Sequence, residues 1–167
     1  MGLWQHEFSL VPRKGLLTEL GHIPQQLEAD LWDSIDWWQH CPFQDGIPDL
    51  FDRLLQETSF LSKETGLWGN INSDFLWIEY DDLAIARIDV RLDLREPFTP
   101  FMNRLLSLVQ EFDWLFVSED LQLLEPQAEK LQAYIAQTPA YKFVSQVQEH
   151  IPILHDRRYH DRKADEE

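Results

Sequence analysis

Apolar and polar positions alternate most regularly between Ala84 and Arg95. Ala84, Ala86, Ile88, Val90, Leu92 and Leu94 fall on one phase, and Ile85, Arg87, Asp89, Arg91, Asp93 and Arg95 on the other. A period of two predicts a strand with one buried face and one face carrying Arg-Asp-Arg-Asp-Arg. His6-Glu7-Phe8-Ser9-Leu10-Val11-Pro12 predicts a first strand stopped by proline. Gly66 to Asn70 and Asp74 to Tyr80 predict two further strands, with Asp81-Asp82 as a tight turn. Trp114 to Val117 and Leu121 to Leu124 predict a last pair around a turn at Ser118-Glu119-Asp120.

Helical spacing takes over elsewhere. Ile47, Leu50, Phe51, Leu54 and Leu55 predict a helix over about 47–58, with Pro48 in its first turn. Thr99-Pro100 opens a helix with the apolar stripe Phe101, Met102, Leu105, Leu106, Val109 and Phe112. Pro126 starts one carrying Leu131 and Ile135, and Thr138-Pro139 opens a last one with Phe143, Val144 and Val147. Residues 13–44 are less regular; Leu27, Leu31 and Ile35 share a face of a short helix there. Strands joined by short turns imply antiparallel pairing. The expectation is an α+β fold, with an antiparallel sheet of about five to six strands and helices packed on one face. A single domain is expected over 1–152, with a charged tail at 153–167.

Charge changes this picture more than composition does. Of 167 residues, 14 are Lys or Arg and 30 are Asp or Glu, a net charge of −16. That balance disfavours nucleic acid and anionic membrane surfaces as partners and favours a basic protein. Cys41 is the lone cysteine, which rules out an intrachain disulfide and suits a reducing cytoplasm. No secretory signal and no membrane-length apolar run is read, so the expected location is cytoplasmic.

Chemistry-bearing motifs are sparse. The glycine spacings do not form a phosphate loop, and zinc-protease and nucleophile-elbow patterns are missing. His40-Cys41 offers a thiol beside an imidazole, but adjacent residues point apart, and an ordinary buried cysteine is the preferred reading. His155 and His160 stand beside Arg157 and Arg158, which oppose a metal site. The Arg-Asp strand face reads as a solvent face held by charge pairs, with a recognition face as its alternative. The segment from Glu28 to Asp52 carries seven acids and no Lys or Arg, interleaved with Trp32, Trp37, Trp38 and Phe43. Asp30, Asp33, Asp36, Trp37, Trp38, Asp45, Asp49 and Asp52 are therefore the candidate partner-binding residues, acids for steering and tryptophans for buried contact. The alternative is an acidic loop whose tryptophans plug the core. No catalytic residue, metal ligand or cofactor is assigned.

Three stretches carry a resemblance. They are Glu7-Phe8-Ser9-Leu10-Val11-Pro12, Trp68-Gly69-Asn70 with the later strand ending Val90-Arg91-Leu92-Asp93-Leu94-Arg95, and Ala140-Tyr141-Lys142-Phe143-Val144 after Leu123-Leu124-Glu125-Pro126. Together they make most of residues 6–150 resemble small acidic bacterial proteins, several of them similar to immunity proteins that neutralise toxins passed between neighbouring bacteria. The resemblance implies stoichiometric binding of a cognate toxin without a cofactor. It carries over no contact residue. The alternatives kept beside it are a small enzyme or ligand-binding domain without a recognisable motif, and an adaptor for a basic host protein.

Overall fold

The computed structural model describes residues 4–41, 51, 58–62, 65–70, 72–81, 84–95 and 100–147, with backbone alone at 58–62 and 65. The predicted first strand is β1 (Gln5–Pro12). It runs directly into α1 (Arg13–Leu20), because Pro12 is extended and its ring fixes the entry to the helix. A short α2 (Ala29–Ser34) follows. Next come β2 (Thr58–Ser62), β3 (Thr65–Gly69), β4 (Phe75–Asp81) and β5 (Ala84–Asp93). The second half holds α3 (Pro100–Glu111), β6 (Trp114–Ser118), β7 (Leu123–Leu124), α4 (Ala128–Ile135) and α5 (residues 139–147).

The strands form one antiparallel sheet in the order β2-β3-β4-β5-β1-β6-β7. The fold is α+β, as the alternation pattern predicts. The sheet has seven strands because β2 and the two-residue β7 extend its edges. The predicted helix over 47–58 lies outside the described residues, except that Phe51 is helical and buried and Thr58 already belongs to β2. The Asp81-Asp82 turn and the Thr99 cap also fall partly or wholly outside them, as does the tail from 153 onward.

Register explains the core. Leu76, Val90 and Phe8 are consecutive partners across β4, β5 and β1, so their side chains share one face. Phe8, Leu10, Leu76, Ile78, Ile88, Val90 and Phe116 are all at most 1% exposed. α3 lays Phe101, Met102, Leu105, Leu106, Leu108 and Val109 into the core. Its end is fixed by Phe112 stacking on Trp114 with centroids 5.1 Å apart. α4 reaches the same face through Tyr134, 5.9 Å from Phe8. Gly69 has φ +100°, and a Cβ there would lie 2.8 Å from the Phe101 ring, so glycine lets α3 approach the sheet.

The predicted phase of β5 changes at one point. Arg87 faces Glu79 but Ile85 faces Tyr80, so Ala86 is the extra residue of a bulge. The bulge turns Ile85 into the core at 1% exposure and leaves Ala84 and Ala86 exposed. Strict alternation predicts the opposite for these three residues.

Candidate functional site

The predicted acidic-aromatic surface separates into several environments. Trp37 and Trp38 are 4% and 2% exposed and belong to the core, which corrects the expectation that they offer contact area to a partner. Trp37 stacks near-parallel on Trp32 at 6.0 Å, and Trp38 meets Trp114 edge-on at 4.9 Å. Asp36 turns its carboxylate inward on the chain, where one oxygen accepts the backbone N–H groups of Trp38 and Gln39. It caps the 37–40 turn that buries both indoles. Asp30 and Asp33 are exposed on α2. Asp45, Asp49 and Asp52 lie outside the described residues. Cys41 is a buried thiol, and the His40 ring turns instead to Glu19 at 2.7 Å.

The site is built elsewhere, around the β6–β7 turn. Ser118 Oγ donates to Asp120 Oδ1 at 2.5 Å and accepts the Gln122 N–H at 2.9 Å. The Gln26 amide donates to the Asp120 carbonyl at 2.7 Å, and Gln26 bridges Gln122. Leu121 adopts φ +63°, a left-handed conformation that tightens the turn. These contacts fix the Asp120 carboxylate and the backbone of the turn that carries Glu119.

Beside the turn opens a hollow of about 740 Å³ lined by His6, Glu119, Asp120, Tyr134, Thr138 and Phe143, among others. β1 supplies His6, the turn supplies the acids, α4 supplies Tyr134, and the start of α5 supplies the last two. Thr138 caps α5 by accepting the Tyr141 N–H at 3.3 Å, which fixes the wall that presents the 44% exposed Phe143. Tyr134 donates its hydroxyl to Asp120 Oδ1 at 2.7 Å, and Gln122 donates to Oδ2 at 2.7 Å. The Ser118 hydroxyl leads the causes that hold the Asp120 carboxyl below its ordinary range. Burial beside this carboxylate pushes Tyr134 up to about 12, so its phenol stays neutral.

His6 is the unusual member. It is 5% exposed, it packs edge-on to Phe8 at 4.7 Å, and its Nε2 has no hydrogen-bond partner among the described residues. Burial lowers its pKa despite Glu119, Asp120 and Glu7 nearby, so the ring is neutral at pH 7. Glu119 Oε1 lies 3.7 Å from Nδ1, too far for a hydrogen bond. In sequence, His6 is in phase with Phe8 and Leu10, and a polar residue on the apolar phase of a strand is the signal that marks it.

The opposite face of the sheet carries the Arg-Asp positions. Arg91 binds Glu7 through Nε at 2.8 Å and through Nη2, with its guanidinium over Phe75 at 4.8 Å. Arg95 pairs with Asp93, and Arg87 with Asp89. The arginines remain part-exposed while Asp89 and Asp93 are 3% and 5% exposed, so the face is a half-buried ion-pair ladder. A second hollow of about 300 Å³ joins Glu7, Ser9, Asp33, Arg87, Asp89 and Glu119. Glu119 thus borders both hollows, and Asp33 is the predicted site residue that comes to the same rim.

No group of three or more His, Cys, Asp or Glu among the described residues is arranged to hold a metal ion. No described helix is long and apolar enough to cross a membrane. The chain matches no protein-family model, no curated protein and no solved structure.

Proposed function

We propose that this chain binds a basic protein partner on the acidic surface centred on the Glu119–Asp120 turn, and that it acts as an immunity-like neutraliser of a cognate toxin. One observation carries the binding reading: the described lining of the larger hollow brings Glu119 and Asp120 together beside His6 and includes no Lys or Arg. The net charge of −16 would draw a basic partner toward that surface, and Tyr134 and Phe143 offer apolar area once it arrives. Asp33 and Glu7 extend the acidic rim. The toxin reading adds the resemblance, under which one copy of the chain blocks one copy of the toxin with no cofactor.

The test uses a partner co-purified with the chain from its source cells. Glu119→Gln with Asp33→Asn should slow association about tenfold and flatten its salt dependence, because steering acts through long-range charge. An association rate equal to wild type at two salt concentrations refutes this surface. Co-expression should also protect cells from the partner if the partner is a toxin.

A second reading follows from His6. Its ring is buried beside Glu119 and is neutral at pH 7, with Nε2 unpartnered among the described residues, and a neutral imidazole is the form a general base takes. A His6→Gln protein separates the two readings, since glutamine can accept a hydrogen bond but cannot take up the proton.

A further inference from the structure

We propose that residues 153–158 of this chain dock back along α5, seating an apolar side chain on its exposed strip and an arginine at the Glu119 end of the larger hollow. The inference goes beyond the basic-partner reading and does not depend on it.

The surface is apolar along α5 and acidic at one end. Phe143 and Val147 are 44% and 42% exposed and stand one turn apart on the same side of α5. Val144 is buried, so another side chain already makes the core contact of that helix. Phe143 belongs to the exposed strip and also lines the hollow, which joins the two. The rest of the lining suits a peptide. Gln5 and Gln137 bring side-chain amides, which both donate and accept. Glu119 brings a half-exposed carboxylate whose nearest described partner is His6 Nδ1 at 3.7 Å. No Lys or Arg stands in the described lining.

The occupant follows from chemistry and reach. Residues 148–167 come after α5 and lie outside the described residues. Ile151, Ile153 and Leu154 are apolar, and residues 155–163 hold Arg157, Arg158, Arg162 and Lys163 against Asp156 and Asp161. Four of the 14 Lys and Arg of a chain with net charge −16 thus fall within nine residues, a local complement to an acidic surface. Pro152 cannot continue a helix and disfavours helical backbone at Ile151, so the chain has 148–152 in which to reverse. The lengths then agree. Thr138 and Val147 are nine residues apart, about 14 Å along a helix. In an extended segment, residues four apart share a face and lie about 13 Å from each other. Ile153 and Arg157 are such a pair, and so are Leu154 and Arg158. Whichever pair faces α5, an apolar side chain seated at Val147 puts its arginine beside Thr138, where the hollow and Glu119 are.

The experiment uses the full-length protein with a nitroxide on Tyr159→Cys in a Cys41→Ala background, and reads amide line broadening at about 0.1 M salt. The amides of Glu119, Ala140 and Phe143 should broaden. Ile153→Ser with Leu154→Ser should reduce that broadening at least about threefold, and so should Arg157→Glu with Arg158→Glu. Absence of broadening at the three amides, or broadening kept in either double variant, overturns the docking. Broadening that appears when nitroxide-labelled protein is mixed with isotope-labelled, nitroxide-free protein assigns the surface to a second copy and overturns the contact within one chain. Without any nitroxide and with Cys41 in place, Ile153→Ser with Leu154→Ser should shift the Phe143 and Val147 resonances while those of Leu76 and Ile88 stay put and report a kept fold. Phe143 and Val147 resonances equal to wild type in that variant overturn the proposal as well.

Discussion

Replacing Arg87 by alanine isolates what the ion-pair ladder contributes. Asp89 is 3% exposed and its carboxylate has two described sources of donors. Ser9 Oγ–H gives one bond at 2.5 Å, and Arg87 reaches both oxygens, Oδ1 at 2.8 Å and Oδ2 at 2.7 Å. Glu79 sits opposite Arg87 in the register and repels Asp89. Alanine at 87 would leave a buried carboxylate with one neutral donor and an acidic neighbour. Breaking a fully buried pair costs about 3–5 kcal/mol. The Arg87 side chain is 49% exposed, so water already screens the pair and part of the cost is absent. A loss of about 2 kcal/mol follows, in line with a hydrogen bond to a charged group. For a chain of 167 residues that is a fall in Tm of roughly 4–8 °C.

The pH dependence tests the cause. Burial is the largest influence on Asp89 and raises its pKa, while Ser9 and Arg87 pull the other way. In the folded state the carboxyl therefore takes up a proton at higher pH than in the unfolded chain. Above the folded pKa both states are ionised and the folded state bears the desolvation penalty. As pH falls through the folded pKa toward the unfolded value, the folded state protonates first and the penalty is relieved. Arg87→Ala removes an influence that lowers this pKa, so its deficit should be largest at neutral pH and shrink in mild acid. In an Asp89→Asn background the same substitution should cost less than about 0.5 kcal/mol at any pH, since no charge remains to be compensated. Urea melts of the four proteins at pH 7 and pH 5 measure this cycle. A deficit that is unchanged by pH, or undiminished in the Asp89→Asn background, would show that Arg87 acts through packing or through Glu79 instead.

Asp93 carries the opposite sign: its Arg95 partner leads the causes that lower its pKa, so its contribution is present above the unfolded value and lost as pH falls through the folded one, and Arg95→Ala should flatten the acid side of the stability curve. Gly15→Ala should destabilise the protein by more than about 1 kcal/mol in thermal melts, although alanine is the better helix former, because its Cβ would lie 2.4 Å from the Trp37 carbonyl oxygen. In an ultraviolet titration one of the four tyrosines should ionise late, near 12, and Tyr134→Phe should remove that step while costing about 1 kcal/mol of stability.

What the sequence revealed depends on how local the cause is. β5 and α3 are legible because their apolar positions repeat with the period of one element, and β1, β4 and β6 because each is a short apolar run bounded by a proline or a turn signal. α1 is not, because its burial is confined to Gly15 and Leu16 and it starts without a side-chain cap. The β5 bulge is not, because an extra residue is defined only by the partner strand, and Glu79–Tyr80 supplies that definition from a distance. The edge strand β2 gains its identity by pairing with β3, and nothing in Thr58–Ser62 alone announces it.

The candidate site follows the same division, and it explains why the acids and the tryptophans of one segment part company. A cluster of acids next to aromatics in sequence fixes composition but not direction. Asp36 spends its carboxylate on the 37–40 turn, and that turn sends Trp37 toward Trp32 and Trp38 toward Trp114. Both rings are then core, while Asp33 stays at the surface on α2 and meets Glu119 only through the fold. The hollow draws on His6 from the start of the chain, Asp120 from a hairpin turn and Phe143 from the last described helix. No short-range pattern joins residues so far apart. The one local trace is His6 in phase with Phe8 and Leu10, a polar group placed where the strand buries its side chains. Its Nε2 has no hydrogen-bond partner among the described residues, and phenylalanine would leave no polar atom there to satisfy. That makes this residue, rather than the tryptophan pair, the place to begin mutagenesis.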